Sequence, residues 1–242
     1  MQKSFSQSLR LRDYTNVWFE IFIVLFSILP FLALAYFYPV LPQRLPLFLN
    51  LSGEVASWAE KSGFSVFRVP LMALDTQLVC LLMKYATVSS ATVAPFESRT
   101  GQAEYRYYVR LSVGLWDWFR CLVAVKMSAA SLDTIFLSLE RFKFLARPAF
   151  AITAIAALLS IVGALVYTYR LLSMRRGLKE KFGVVKFARP VDGRSVYGGV
   201  FYFSPTDSAL LVSKYIFNFA NKWSWVFIAC LIAYPLLVWS PM

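Results

Sequence analysis

The segment Pro148–Tyr169 contains no charged side chain. A helix rises about 1.5 Å per residue, so a stretch of this length covers the roughly 30 Å hydrocarbon core of a bilayer. A run that long and that apolar reads as a membrane span, and the rest of the chain must fold around it. Composition agrees: 59% of the 242 residues are hydrophobic and only 16% are charged, against roughly a quarter in soluble domains.

Four further segments have span character. Residues 17–38 form the first, with Glu20 near its start. The run is too long for a signal peptide and no small-residue cleavage site follows, so it reads as a retained anchor. Residues 66–83 form the second and carry Arg68, Pro70, Asp75 and Gln77. Residues 111–139 hold Asp117, Arg120, Lys126 and Asp133 among apolar neighbours. This third segment reads either as a helix buried in a bundle or as an amphipathic helix on the membrane surface. The charge-free span 148–169 is fourth, with Gly163 permitting close helix packing. Residues 223–242 supply the last, anchored at the interface by Trp223, Trp225 and Trp239.

The expected fold class is all-α and membrane-embedded, with about five transmembrane helices and a small β-containing cytoplasmic lobe. Loop 39–65, rich in Pro and Gly, is expected outside the cytoplasm with a short amphipathic helix about Val55–Glu60. Segment 84–110 reads as a polar connection ending in an interfacial Tyr/Arg belt, Tyr105–Arg110. Lys and Arg concentrate in the N-terminal tail, in 84–110 and in 170–222; loop 39–65 has only Arg44 and Lys61, and 140–147 has Arg141, Lys143 and Arg147. By the positive-inside rule this places the N-terminus in the cytoplasm.

Residues 170–222 are the one sizeable polar region. Val196–Phe203 reads as a short strand and Ser204–Asp207 as a turn, because Pro205 fixes φ and Asp207 caps the residues after it. The Gly198–Gly199 pair lacks the spacing of a phosphate loop and reads as a strand bend.

Several chemistries drop out. The chain has no histidine, which removes the usual zinc and haem sites and imidazole acid–base catalysis. Cys80, Cys121 and Cys230 each lie in apolar sequence with no paired spacing and read as buried thiols. Signatures of hydrolases and metalloproteases are absent. No catalytic residue, no cofactor and no metal is expected, and the protein reads as non-enzymatic. The net charge of +12 would suggest nucleic acid in a soluble protein; here it reads as loaded cytoplasmic loops, and no nucleic-acid partner is expected.

The candidate site residues are the intramembrane charges Arg68, Asp75, Asp117, Arg120, Lys126 and Asp133. A charge in a membrane helix is costly and faces a partner or a polar cavity. Asp117 and Arg120, three apart, can pair within one helix; Asp75 can meet Lys126 if the second and third helices are antiparallel. These charges read either as a polar pathway or pocket, or as ion pairs that brace the bundle or a partner interface. The basic run Arg170, Arg175, Arg176, Lys179 and Lys181 reads as lipid-headgroup contacts or as a plain topology signal.

Two stretches resemble known families. Leu41–Leu71, through Pro46, Asn50, Gly53, Trp58, Lys61 and Pro70, resembles the loop-and-helix motif of bacterial membrane proteins related to Sdp-type toxin immunity proteins. Phe48 stands where that motif carries histidine. Val196–Trp223, through Gly199, Phe201, Tyr202, Pro205, Asp207, Val212, Lys214, Asn218 and Phe219, resembles a small domain of unknown function that follows the first in such proteins. The resemblance implies a bacterial inner-membrane protein that binds a membrane partner, a peptide or lipid, in an immunity- or sensor-like role. An accessory subunit of a larger membrane complex and a small transporter are the alternatives.

Overall fold

The computed structural model of the chain describes residues 11–49, 55–91, 98–183, 196–197, 201–205, 210–213 and 216–239. It is mostly helical. Helices α1 (Val17–Phe37), α2 (Gly63–Ser90), α3 (Arg99–Ser138), α4 (Ala146–Phe182) and α5 (Lys222–Trp239) make up most of it, with short paired strands between α1 and α2 and between α4 and α5. The first four are long and apolar enough to cross a membrane, and α5 is a shorter apolar helix.

The helices are longer than hydropathy alone implies. Helix α2 continues past residue 83 through Thr87 and Ser89, because their hydroxyls donate to the carbonyls of Met83 and Ala86 in the same helix at 2.8 and 3.3 Å. A polar side chain satisfied in this way does not end a helix. Helix α3 begins at Arg99, with the Ser98 hydroxyl accepting from the Gly101 amide at 3.1 Å as an N-cap. The Tyr105–Arg110 run is therefore helical, and Tyr105 and Val109 are buried. Helix α4 also carries the basic run 170–181, which the charge pattern had assigned to the lobe. It stops before Gly183, whose φ of 77° is the left-handed conformation a helix C-terminus commonly uses.

The segment Val55–Glu60 is a strand, not the short helix its composition favoured. It is β2, paired antiparallel with β1 (Arg44–Leu49) in the register Arg44↔Glu60, Leu45↔Ala59, Pro46↔Trp58. Burial decides against propensity here: Leu45 and Ala59 are enclosed, while Trp58 and Glu60 on the alternate positions are exposed. Lys61 staples the hairpin base. Its Nζ donates to the Leu41 carbonyl at 2.9 Å and lies 4.9 Å from the centre of the Tyr38 ring. Ser62 then caps α2, exchanging hydrogen bonds with Ser65: the Ser65 amide donates to the Ser62 hydroxyl at 3.0 Å and the Ser62 amide to the Ser65 hydroxyl at 2.9 Å.

The chain divides into two compact units. One comprises residues 17–78, 118–162 and 230–242. Its core joins Leu34, Leu41, Leu45, Val66 and Ile135, so the hairpin foot sits on α1, α2 and α3. The other comprises residues 1–16, 79–117 and 163–229. Its core joins Val88, Ala91, Tyr105, Val109 and Val113. It also holds the two-stranded pairs β3 (Val196–Tyr197) with β4 (Phe201–Tyr202) and β5 (Leu211–Ser213) with β6 (Ile216–Phe217). The β-character expected before α5 is present, but Val196–Phe203 is not one strand: it holds β3 and β4, paired antiparallel with Val196 opposite Tyr202. The Gly198–Gly199 bend, Thr206–Asp207 of the turn, and the motif residues Asn50, Gly53 and Lys214 lie outside the described residues.

Asn218 holds these strands together. It is fully buried. Its side chain donates to the Ser204 carbonyl at 3.1 Å and accepts from the amides of Ser204 and Ala220 at 3.1 and 3.2 Å. Its backbone carbonyl accepts from the Ser224 hydroxyl at 2.7 Å, at the start of α5. Asn218→Ala removes the three side-chain bonds to Ser204 and Ala220, keeps the backbone bond from Ser224, and is expected to destabilise the lobe by about 2–3 kcal/mol. Limited proteolysis of residues 183–221 measures this; a cleavage rate equal to wild type would remove Asn218 from that role.

Candidate functional site: buried charges on α2 and α3

Lys84 is fully enclosed, although its four-carbon stem and ammonium lie on an apolar helix. The ammonium donates to both carboxylate oxygens of Asp117 at 2.9 and 3.1 Å. On the same two helices the Trp116 indole donates to the Thr87 hydroxyl at 3.1 Å. This pair neutralises a charge that α2 could not otherwise bury.

Arg120, also buried, is held by two helices of its own unit. Its Nη1 and Nη2 donate to the two Glu20 oxygens at 2.8 and 2.6 Å, a bidentate fork. Its Nε donates to the Gln77 side-chain oxygen at 3.3 Å, and the Gln77 amide returns a bond to the Arg120 carbonyl at 2.7 Å. Planar guanidinium matches carboxylate geometry here in a way an ammonium would not. The Ser128 hydroxyl adds a bond to the Phe26 carbonyl at 2.7 Å, further tying α3 to α1.

The other sequence-identified charges are placed differently. Buried Arg68 donates through Nη2 to the Val238 carbonyl. Val238 lies in the last turn of α5, where carbonyls lack an intrahelical donor and a cation is favourable. Its Nε and Nη1 have no partner among the described residues, nor do Asp75 Oδ2 and Asp133 Oδ1. Asp75 meets the Cys230 thiol. Among the described residues Lys126 makes no ion pair, so the Asp75–Lys126 pairing is not formed. Asp117 and Arg120, whose spacing allows a pair within α3, each take an inter-helical partner, Lys84 and Glu20.

Three residues of these networks escaped the sequence-based candidate set: Glu20, Gln77 and Lys84. A signal existed for two of them. Gln77 and Lys84 are two helical turns apart and so share one face of α2.

Among the described residues, grooves open outside these networks. One, of about 480 Å³, is lined by Arg44, Trp58, Ala59 and Glu60 of the hairpin. Another, of about 460 Å³, runs along α4 beside Tyr169, Ser173 and Arg176. All five residues of the basic run, Arg170, Arg175, Arg176, Lys179 and Lys181, are exposed. Lys181 donates to Glu104 at 2.8 Å.

Residues 25–74 match a family described as a domain of unknown function, DUF1648. The match takes in most of α1, the hairpin and the first turns of α2, and it contains the Leu41–Leu71 motif. No curated protein and no solved structure matches the chain.

Proposed function

We propose that the protein spans the bacterial inner membrane five times, N-terminus in the cytoplasm, and acts without catalysis by binding a membrane partner, peptide or lipid. The role is immunity- or sensor-like. One observation carries this reading: the family-matched segment presents a stapled hairpin between two apolar helices, with exposed Trp58 beside Arg44 and Glu60 around an open groove. An exposed aromatic flanked by opposite charges is the kind of anchor that dominates binding surfaces. The transporter alternative is weaker, because Lys84–Asp117 and Arg120–Glu20 hold fixed partners through two bonds each, whereas a relay needs groups that change partners.

The test is protection. A strain lacking the gene is challenged with a panel of membrane-active peptide toxins, and complemented with wild type or Trp58→Ala. Deletion is expected to sensitise cells to at least one toxin and wild type to restore resistance. Trp58→Ala is expected to weaken protection by about thirtyfold, the loss of a single binding hot spot. A Trp58→Ala strain as resistant as wild type would sink the hairpin as the binding surface. The accessory-subunit reading is favoured by one feature, the outer face of α1, where Trp18, Leu25, Leu32 and Tyr36 are all well exposed.

A further inference from the structure

Helix α4 does not stop where its apolar sequence ends. It carries Leu165, Tyr169 and Leu172 on one exposed stripe and continues without a break into Arg176. These residues recur at three- and four-residue intervals and so lie on one face. Ser173 and Gly177 leave a notch beside Arg176, and Glu180 closes its far rim. A Cβ built on Gly177 meets nothing within 4 Å, so the notch is open space and not a helix-packing contact.

The cations of this run, Arg170, Arg175, Arg176, Lys179 and Lys181, are all exposed. Lys181 is bound to Glu104 and Arg175 lies near Tyr108. An apolar stripe ending in outward cations is complementary to one chemical object, a lipid with an acyl chain and an anionic head.

We propose that this face of α4 binds an anionic glycerophospholipid, its phosphate against Arg176 in the Ser173–Gly177 notch and its acyl chain along Leu172, Tyr169 and Leu165. Glu180 selects the headgroup. A carboxylate one turn beyond Arg176 repels a second phosphate and accepts from hydroxyls, which favours phosphatidylglycerol over lipids with more negative heads. The inference rests on the membrane-spanning part of the proposed function and adds a lipid class and a site to it.

The full-length protein, purified in mild detergent, is titrated with dioleoyl phosphatidylglycerol and separately with dioleoyl phosphatidylcholine, and retained lipid is read by native mass spectrometry. Wild type is expected to retain phosphatidylglycerol preferentially. Arg176→Gln is expected to weaken that retention about fivefold, the worth of one cation near a lipid surface. Gly177→Leu fills the notch and is expected to abolish the preference, with an unchanged melting temperature because the added side chain meets open space. Equal retention of the two lipids by wild type, or wild-type retention by both variants, would overturn the proposal. If Gly177→Leu melts early, exposed Arg176→Gln decides alone. A protein found in the soluble fraction without detergent would sink the membrane reading itself, whereas a membrane protein with no lipid preference sinks only this site.

Discussion

Asp117→Ala is expected to destabilise the protein by about 3–5 kcal/mol, because it strands a charged ammonium inside the fold. Lys84 is fully enclosed and donates to both carboxylate oxygens of Asp117. The size of the effect reflects the ammonium left behind more than the attraction lost. The double variant Lys84→Met, Asp117→Leu removes both charges and keeps apolar volume. It is expected to return to within about 1 kcal/mol of wild type or to exceed it, as buried pairs replaced by hydrophobic residues do. Thermal unfolding in detergent, followed as a double-mutant cycle, measures both. A double variant whose destabilisation equals the sum of the two single effects would show that Lys84 and Asp117 act independently.

Glu20→Ala is the second large effect, again about 3–5 kcal/mol. It removes the bidentate partner of Arg120. Gln77 holds the Nε side of the guanidinium, and both Nη donors lose the Glu20 carboxylate in a site where Arg120 is 3% exposed. Arg120→Lys keeps the charge but not the fork, nor the bond to Gln77, and is expected to lose a substantial part of the same stability. Melting temperatures of the three proteins should rank wild type, then Arg120→Lys, then Glu20→Ala. An Arg120→Lys protein indistinguishable from wild type would show that charge alone, not planar geometry, holds α1 to α3.

The long apolar helices were legible because a length fit to cross a bilayer imposes a long apolar run on sequence, and Pro148–Tyr169 has one without a charged residue. Their ends were not legible. Lys84, Thr87 and Ser89 look like the start of a loop to any measure of hydropathy, yet the hydroxyls bond within the helix and the ammonium finds Asp117 across it. The hairpin was misread for the opposite reason. Ala56, Ala59 and Glu60 favour helix locally, and only pairing with Arg44–Leu49 makes Val55–Glu60 a strand. That pairing is tertiary, so local propensity could not contain it.

The charged candidates show the same division. Sequence placed Asp117 and Arg120 in an apolar helix, where an ionised group demands a partner. It could not name Lys84 or Glu20, because inter-helical neighbours depend on how helices are rotated against each other. Asn218 was visible only through resemblance. Its physical role, four hydrogen bonds closing a buried junction of short strands, appears once the strands are in place.

The central claim is that this protein works by binding another membrane component, its buried charges serving to brace the helices. The most direct measurement is purification of the tagged protein from native membranes in mild detergent, with mass spectrometry of what remains bound in fixed ratio. A peptide, lipid or membrane protein is expected in fixed ratio to the chain, retained by wild type and lost from Trp58→Ala, while Asp117→Asn lowers only the yield. A chain that elutes with nothing bound in fixed ratio would contradict it.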